Sequence, residues 1–231
     1  ISPEKGVSAG LILQYFFNTG VTKVEKEQTR FSNAYTNFQY SSFNQLIAEG
    51  VYSIYTNKEK YYLQGAIGYK NFYERYWTFS DDTVSNNQFR GVEYEYIYVR
   101  GKWMKNLKHQ LFVGVNFAYN NFNKINFQDG TYPTIPIVEG LNESISIGIG
   151  PAFIIDKRDN QFSLQEGWFA EGGIRIHHKS IGSNFNFTQY NVDVRRYLNF
   201  KEKGILALQI NAILNNGEVP FLEKIKLGND R

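Results

Sequence analysis

The segment at positions 144–155, SISIGIGPAFII, has two faces of opposite character when it is extended. Successive side chains of a β-strand point to opposite faces. One face then carries Ile145, Ile147, Ile149, Pro151, Phe153 and Ile155, and the other carries Ser144, Ser146, Gly148, Gly150 and Ala152. An apolar face backed by small and polar side chains is typical of a wall between lipid and a wet interior. The segment therefore predicts a membrane-facing β-strand.

Similar segments recur along the chain and predict an all-β protein. Each is bounded by clusters of Asn, Gly, Asp or Lys that are typical of turns. The ten predicted strands are 7–17, 29–41, 45–56, 60–74, 89–104, 109–122, 143–156, 167–178, 185–199 and 203–214. Their lengths suit a tilted bilayer crossing of about 9 to 11 residues better than an average globular strand. No linker divides the 231 residues, so we predict one domain over 1–231, an antiparallel transmembrane β-barrel.

Polar side chains share one face of two later predicted strands. In 167–178 that face carries Glu171, Arg175 and His177, and in 185–199 it carries Gln189, Asn191, Asp193 and Arg195. Unpaired buried polar groups cost about 1 to 3 kcal/mol each, so these faces are expected to meet water. If the two strands pair as a hairpin, a cross-strand charge network could form on the luminal face. Its members would be Glu171, Arg175, Asp193 and Arg195.

Aromatic residues make up 17% of the chain and crowd the ends of the predicted strands. Such groups are Tyr15, Phe16 and Phe17, Tyr61 and Tyr62, Phe72 and Tyr73, Tyr76 and Trp77, and Tyr94, Tyr96 and Tyr98. Rings with polar tips settle at the lipid headgroups, and transmembrane barrels carry them as two girdles. We expect these rings at the membrane surfaces; in the alternative, a soluble β-rich protein, they fill a core. The longer stretches 75–88 and 123–142 are predicted as external loops, because barrel loops are long on that side.

Composition and motifs exclude several function classes. No run of about 18 apolar residues occurs, which excludes a helical membrane span. The net charge of +3, with Lys and Arg scattered, gives no sign of nucleic-acid binding. Ser180 and Ser183 follow His178 closely, but neighbours at a strand end do not make a catalytic triad, so no enzyme activity is expected. No metal or other cofactor is expected, because the acidic residues lack the spacing of a calcium loop.

The segment 156–167, DKRDNQFSLQEG, resembles a signature of the BamA/TamA superfamily of outer-membrane barrels, also called the bacterial surface antigen family. The signature is D-x-R-D-N-x-F-x-P-x-x-G, and the matching residues are Asp156, Arg158, Asp159, Asn160, Phe162 and Gly167. Leu164 stands where the family usually has Pro, which loosens the turn. Considered alone, Asp156, Arg158 and Asp159 are expected to form an ion pair and a cap at a strand end.

Three flanking features extend the resemblance over nearly the whole chain. SPEKG at 2–6 is similar to the family's opening strand, and VRRY at 194–197 is similar to one of its strand ends. The lead-in to the family's lid loop is similar to Pro220, Phe221, Leu227 and Gly228. The most similar subgroup is the stand-alone barrels without evident periplasmic POTRA domains. The resemblance implies a bacterial outer-membrane barrel of 14–16 strands, of which about ten are present here, with the chain ending in the lid loop.

The resemblance also implies a function, assistance in the insertion or translocation of outer-membrane proteins through a lateral seam. The seam strand would be 7–17, whose mixed faces include Gly10, Leu11 and Gln14, a composition expected to weaken its pairing. The implied partners are the lipid bilayer, lipopolysaccharide, and client outer-membrane proteins or complex subunits. The alternative is a passive pore, or a structural barrel that anchors a larger outer-membrane complex.

Overall fold

The computed structural model describes residues 6–77, 89–108, 110–127, 140–159, 165–200 and 204–224, which form one antiparallel sheet of ten strands. The strands are β1 (Ser8–Phe17), β2 (Ser32–Ser41), β3 (Leu46–Tyr55), β4 (Tyr61–Trp77), β5 (Phe89–Lys108), β6 (Leu111–Phe127), β7 (Ser144–Asp156), β8 (Gly167–His177), β9 (Phe187–Asn199) and β10 (Ile205–Gly217). Each pairs with its neighbours in chain order. The all-β prediction and all ten predicted strands are confirmed.

In the part of the chain that the structure describes, helical structure is confined to short connections. Helix α1 (Lys23–Glu27) joins β1 to β2, and its first turn is closed by a capping box between Thr22 and Glu25. Single 3₁₀ turns lie at Asn57–Glu59, Lys179–Ile181 and Phe221–Glu223. None of the helices in the described part of the chain is long and apolar enough to cross a membrane.

The middle strands are longer than predicted. β4 continues to Trp77 and β6 to Phe127, so the predicted loops 75–88 and 123–142 begin too early. The reason is continued pairing: Arg75 lies opposite Gly91, and Phe127 lies opposite Val92. The remaining parts of those loops, 78–88 and 128–139, lie outside the described residues.

The connections alternate between two ends of the sheet, which we call the base and the rim. At the base lie the connections 18–31 and 56–60, and the ends of the strands that flank 109, 160–164 and 201–203. At the rim lie the connections 42–45 and 178–186, the ends of the strands that flank 78–88 and 128–139, and the segment that follows β10. The two predicted external loops therefore both leave from the rim.

The two faces of the sheet differ in burial as the alternation in 144–155 predicts. On β7, Ser144 and Ser146 are fully buried, whereas Ile149 is 51% exposed and Phe153 is 41% exposed. The same division holds on β6, where Asn116 is buried and Val115 is exposed. We call the buried, more polar side the inner face and the exposed, apolar side the outer face.

Two aromatic clusters pack on the inner face. The rim cluster contains Val92, Tyr94, Tyr96, Tyr98, Phe122, Phe127 and Leu222, and the base cluster contains Tyr55, Tyr62, Met104, Phe112, Ala152 and Ile154. The prediction that Tyr62, Tyr94, Tyr96 and Tyr98 lie at membrane surfaces is therefore wrong. The three β5 tyrosines share their face with Val92 because they lie at even spacings from it, and Tyr96 stacks on Phe122 with ring centroids 4.1 Å apart.

The sheet is strongly curved around its inner face. Arg30, just before β2, bonds to Asp156 at the end of β7, with Nη1 2.7 Å from Oδ2. Five strand spacings, about 24 Å in a flat sheet, would separate these strands. Among the described residues, β1 pairs only with β2 and β10 only with β9, so closure into a barrel is not observed. The described residues hold ten strands, and a barrel of 14–16 strands would need others beyond them.

Candidate functional site: the inner face of the sheet

Four charged side chains form a network at the base of the inner face. Asp156, only 2% exposed, accepts bonds from Arg158, with Nε to Oδ1 at 2.7 Å and Nη2 to Oδ2 at 2.8 Å. Arg30 donates to the same carboxylate and also grips Glu59 with two bonds of 2.7 and 2.9 Å. The base network of Arg30, Glu59, Asp156 and Arg158 thus ties the start of β2 and the β3–β4 connection to the end of β7.

The electrostatics of the base network favour the charged form of both arginines. Burial alone would lower the pKa of Arg30 and of Arg158, but their bonds to carboxylates outweigh burial and raise both pKa values. Aromatic faces add support: the Arg30 guanidinium lies 4.5 Å from the Tyr55 ring centroid, and that of Arg158 lies 4.7 Å from the Phe169 centroid. The ion pairs of the base network therefore hold the start of β2 against the end of β7 across the curved sheet.

The other motif residues shape the turn that follows β7. The exposed Asp159 accepts the backbone N–H of Gln165 at 3.2 Å and takes no part in the base network. Gly167 has φ +114°, and a Cβ added there would lie 2.3 Å from the carbonyl oxygen of Lys157. Only glycine fits this position. Asn160 and Phe162 lie outside the described residues.

The four residues predicted to form a luminal network lie on one face but pair separately. Asp193 forms an ion pair with Arg195 at 2.6 Å. Glu171 pairs with Lys102 of β5, and Arg175 donates to Gln189 at 2.8 Å. The register explains the difference from the prediction: Glu171 stands opposite Asp193, and like charges directly opposite one another repel, so each carboxylate turns to its own cation.

The inner-face residue Asn116 supplies hydrogen bonds where Pro151 interrupts the backbone pairing of β7 with β8. Pro151 has no N–H to donate, and the β7–β8 register skips the pairs around it. The side-chain amide of Asn116 donates to the carbonyl oxygens of Pro151 at 3.1 Å and of Ile174 at 3.4 Å. Gly173 makes room, because a Cβ there would lie 2.6 Å from that amide nitrogen.

The segment after β10 folds back into the rim of the inner face. Pro220 is buried, Phe221 packs on Phe127, and Leu222 joins the rim cluster. Glu223 accepts a bond from Asn120 at 2.8 Å, and burial raises its pKa although two arginines lie nearby. The described part of the predicted lid lead-in thus occupies the inner face. Leu227 and Gly228 lie outside the described residues.

The predicted seam strand is an edge of the sheet. β1 pairs with β2 in continuous register from Ser8 opposite Ser41 to Phe17 opposite Ser32. Gly10 lies close against β2, since a Cβ there would be 2.9 Å from the carbonyl oxygen of Phe38. Nearly all of β1, including Leu11 and Gln14, is exposed on both faces.

Several inner-face residues were not predicted from the sequence. They are Arg30, Glu59, Lys102, Asn116 and Asn120, and each bonds to a partner distant in the chain. No local spacing pattern identifies them. Among the described residues, no group of three His, Cys, Asp or Glu side chains is placed to hold a metal ion.

No protein-family model matches this chain, and no curated protein is significantly similar to it.

Proposed function

We propose that this chain forms part of the wall of a bacterial outer-membrane β-barrel that assists insertion or translocation of outer-membrane proteins through a lateral seam. The observation that carries the proposal is the inverted polarity of the sheet. Its exposed face is apolar, whereas its buried face holds asparagine, serine and charged side chains beside two aromatic clusters. A water-soluble sheet has the opposite arrangement.

The outer face is too apolar to be explained by scattered surface residues. It exposes Val115, Phe117, Ile149, Phe153, Val192, Val194 and Ile210 on neighbouring strands. Burying such a side chain is worth about 1.5 to 3 kcal/mol, and a contiguous patch of this kind marks a membrane or protein contact. Lipid is the occupant that fits a band extending over most strands of the sheet.

The position of β1 at an edge of the described sheet supports the proposed seam. An edge strand presents unpaired N–H and C=O groups, which in lipid cost several kcal/mol each. A client strand would satisfy these groups by adding to the sheet edge. The inner face would then meet water, and the rim, with its longer connections, would face outward.

Placing arginine on the outer face tests whether that face meets lipid. Ile149→Arg, near mid-strand, is expected to lower the free energy of unfolding in lipid vesicles by about 2 to 4 kcal/mol. Ile155→Arg, on the same face near the base, is the matched control, with an expected loss of about 0 to 1 kcal/mol. Urea titration of the full-length protein measures both. Equal and small effects at both positions would place the outer face in water.

Depletion of the protein in its host separates the insertase from its alternative. The expected result is a fall in the amounts of other barrel proteins in the outer membrane, restored by expression of the wild-type gene. Unchanged amounts would contradict the proposed insertase. The polar inner face, with its Lys102–Glu171 pair, favours the alternative of a passive pore, which would show steady conductance in planar bilayers and no assembly defect.

A further inference from the structure

A cavity of about 1100 Å³ opens at the base of the sheet, between the turn after β7 and the ends of β8 and β9. Its lining includes Lys157, Trp168, Arg196, Leu198 and Phe200. Backbone pairing fixes its centre: Trp168 stands opposite Arg196, and the N–H of Lys157 donates to the carbonyl oxygen of Trp168 at 2.9 Å. The Lys157 ammonium lies 5.6 Å from the Trp168 ring centroid.

Two cations at this cavity are available to a ligand. Lys157 and Arg196 are exposed, and neither forms an ion pair within the described part of the chain. The third basic residue of the lining, Arg158, is committed to Asp156. Asp159 and Glu166 also line the cavity, so an anion would have to approach from the side of Lys157 and Arg196.

The cavity lies where the apolar outer face ends. Two residues nearer the rim on each strand, Ile155, Ala170 and Val194 lie side by side in register on the outer face. At the level of the cavity these give way to Lys157, Trp168 and Arg196. Tryptophan settles at the headgroup level of a bilayer, and basic side chains there attract anionic lipids. The change from aliphatic to basic and aromatic side chains matches the boundary between acyl chains and phosphates.

We propose that Lys157, Trp168 and Arg196 form a binding site for the phosphate headgroup of an anionic phospholipid. The inference rests on the proposed membrane location. Because the rim is assigned to the outside, the base meets the inner leaflet, so the occupant is a phospholipid rather than lipopolysaccharide. Lys157 and Arg196 bind the phosphate, and Trp168 packs against the glycerol region. The acyl chains contact Ile155, Ala170 and Val194 on the outer face.

Fluorescence quenching by brominated lipids tests the site in the full-length protein. With Trp77 and Trp103 replaced by Phe, Trp168 is the remaining tryptophan of this chain. In phosphatidylcholine vesicles that contain brominated phosphatidylglycerol, Trp168 is expected to show stronger quenching than with brominated phosphatidylcholine at the same fraction. Lys157→Gln with Arg196→Gln is expected to reduce this lipid preference by roughly fivefold per cation removed.

A matched charge control uses two exposed lysines at the same end of the sheet. Lys23→Gln with Lys26→Gln removes the same charge from α1 and is expected to leave the preference unchanged. If both double variants lost the lipid preference equally, the effect would come from overall charge, and the proposed site would be wrong. Loss of the preference on addition of inorganic phosphate would identify a soluble-anion site and overturn the lipid assignment. A protein that does not enter vesicles refutes the proposed membrane location, whereas insertion without lipid preference refutes this inference alone.

Discussion

Replacing Asp156 by asparagine is expected to lower the free energy of unfolding by about 3 to 5 kcal/mol. Asparagine has nearly the same shape, but its neutral amide leaves Arg30 and Arg158 without the buried carboxylate that both now contact. Removing one partner from a buried ionic network costs more than the pair contributes, because the remaining charges stay desolvated. Urea titration of the full-length protein in vesicles measures the loss.

Asp159→Asn is the matched control for this change. It removes the same charge from the same turn, but Asp159 is exposed and its carboxylate accepts a backbone N–H from Gln165. The expected loss is below about 1 kcal/mol, because the amide oxygen of asparagine can still accept that N–H. If the two variants lost equal stability, the base network would not be what holds the curved sheet together.

The strands of this chain were predictable because their signal is local. Alternation with a period of two, interrupted by turn residues, identified all ten strands and the faces of β7, β8 and β9. The strand ends were less predictable where the alternation of apolar and polar residues stops but backbone pairing with the neighbouring strand continues. Residues 123–127 carry mostly polar side chains, yet they continue β6 because β5 supplies partners as far as Val92. The capping box of Thr22 and Glu25 was a usable signal for α1 that the strand pattern concealed.

The inner-face contacts depend on curvature, which no local pattern encodes. Asp156 and Arg158 are two positions apart, so their ion pair could be expected from the turn itself. Arg30 lies 126 positions from Asp156, and it meets that residue only because the sheet curves over the five strand spacings between β2 and β7. The inward tyrosines of β5 were also not predictable from a local pattern. Composition suggested that they lie in membrane girdles, whereas the curved sheet packs Tyr96 against Phe122 in the rim cluster.

Changing Gly167 to alanine is expected to lower the free energy of unfolding by about 2 to 6 kcal/mol. Two costs add at this position. A φ of +114° is strained for any L side chain, at about 1 to 3 kcal/mol. The new Cβ would also lie 2.3 Å from the Lys157 carbonyl oxygen, and displacing well-packed backbone costs about 1 to 3 kcal/mol more. The same urea titration provides the measurement.

Gly204→Ala separates the two costs. Gly204 has φ +130°, but a Cβ there would meet nothing within 4 Å, so only the backbone strain of about 1 to 3 kcal/mol is expected. The excess loss at Gly167 then measures how tightly the β7–β8 turn closes against Lys157.

The turn and the base network are expected to be coupled, because Lys157 precedes Arg158 and its position determines where Arg158 meets Asp156. The loss of stability in the double variant Gly167→Ala, Asp156→Asn is therefore expected to be smaller than the sum of the two single losses. Full additivity would mean that the turn and the base network are stabilised independently.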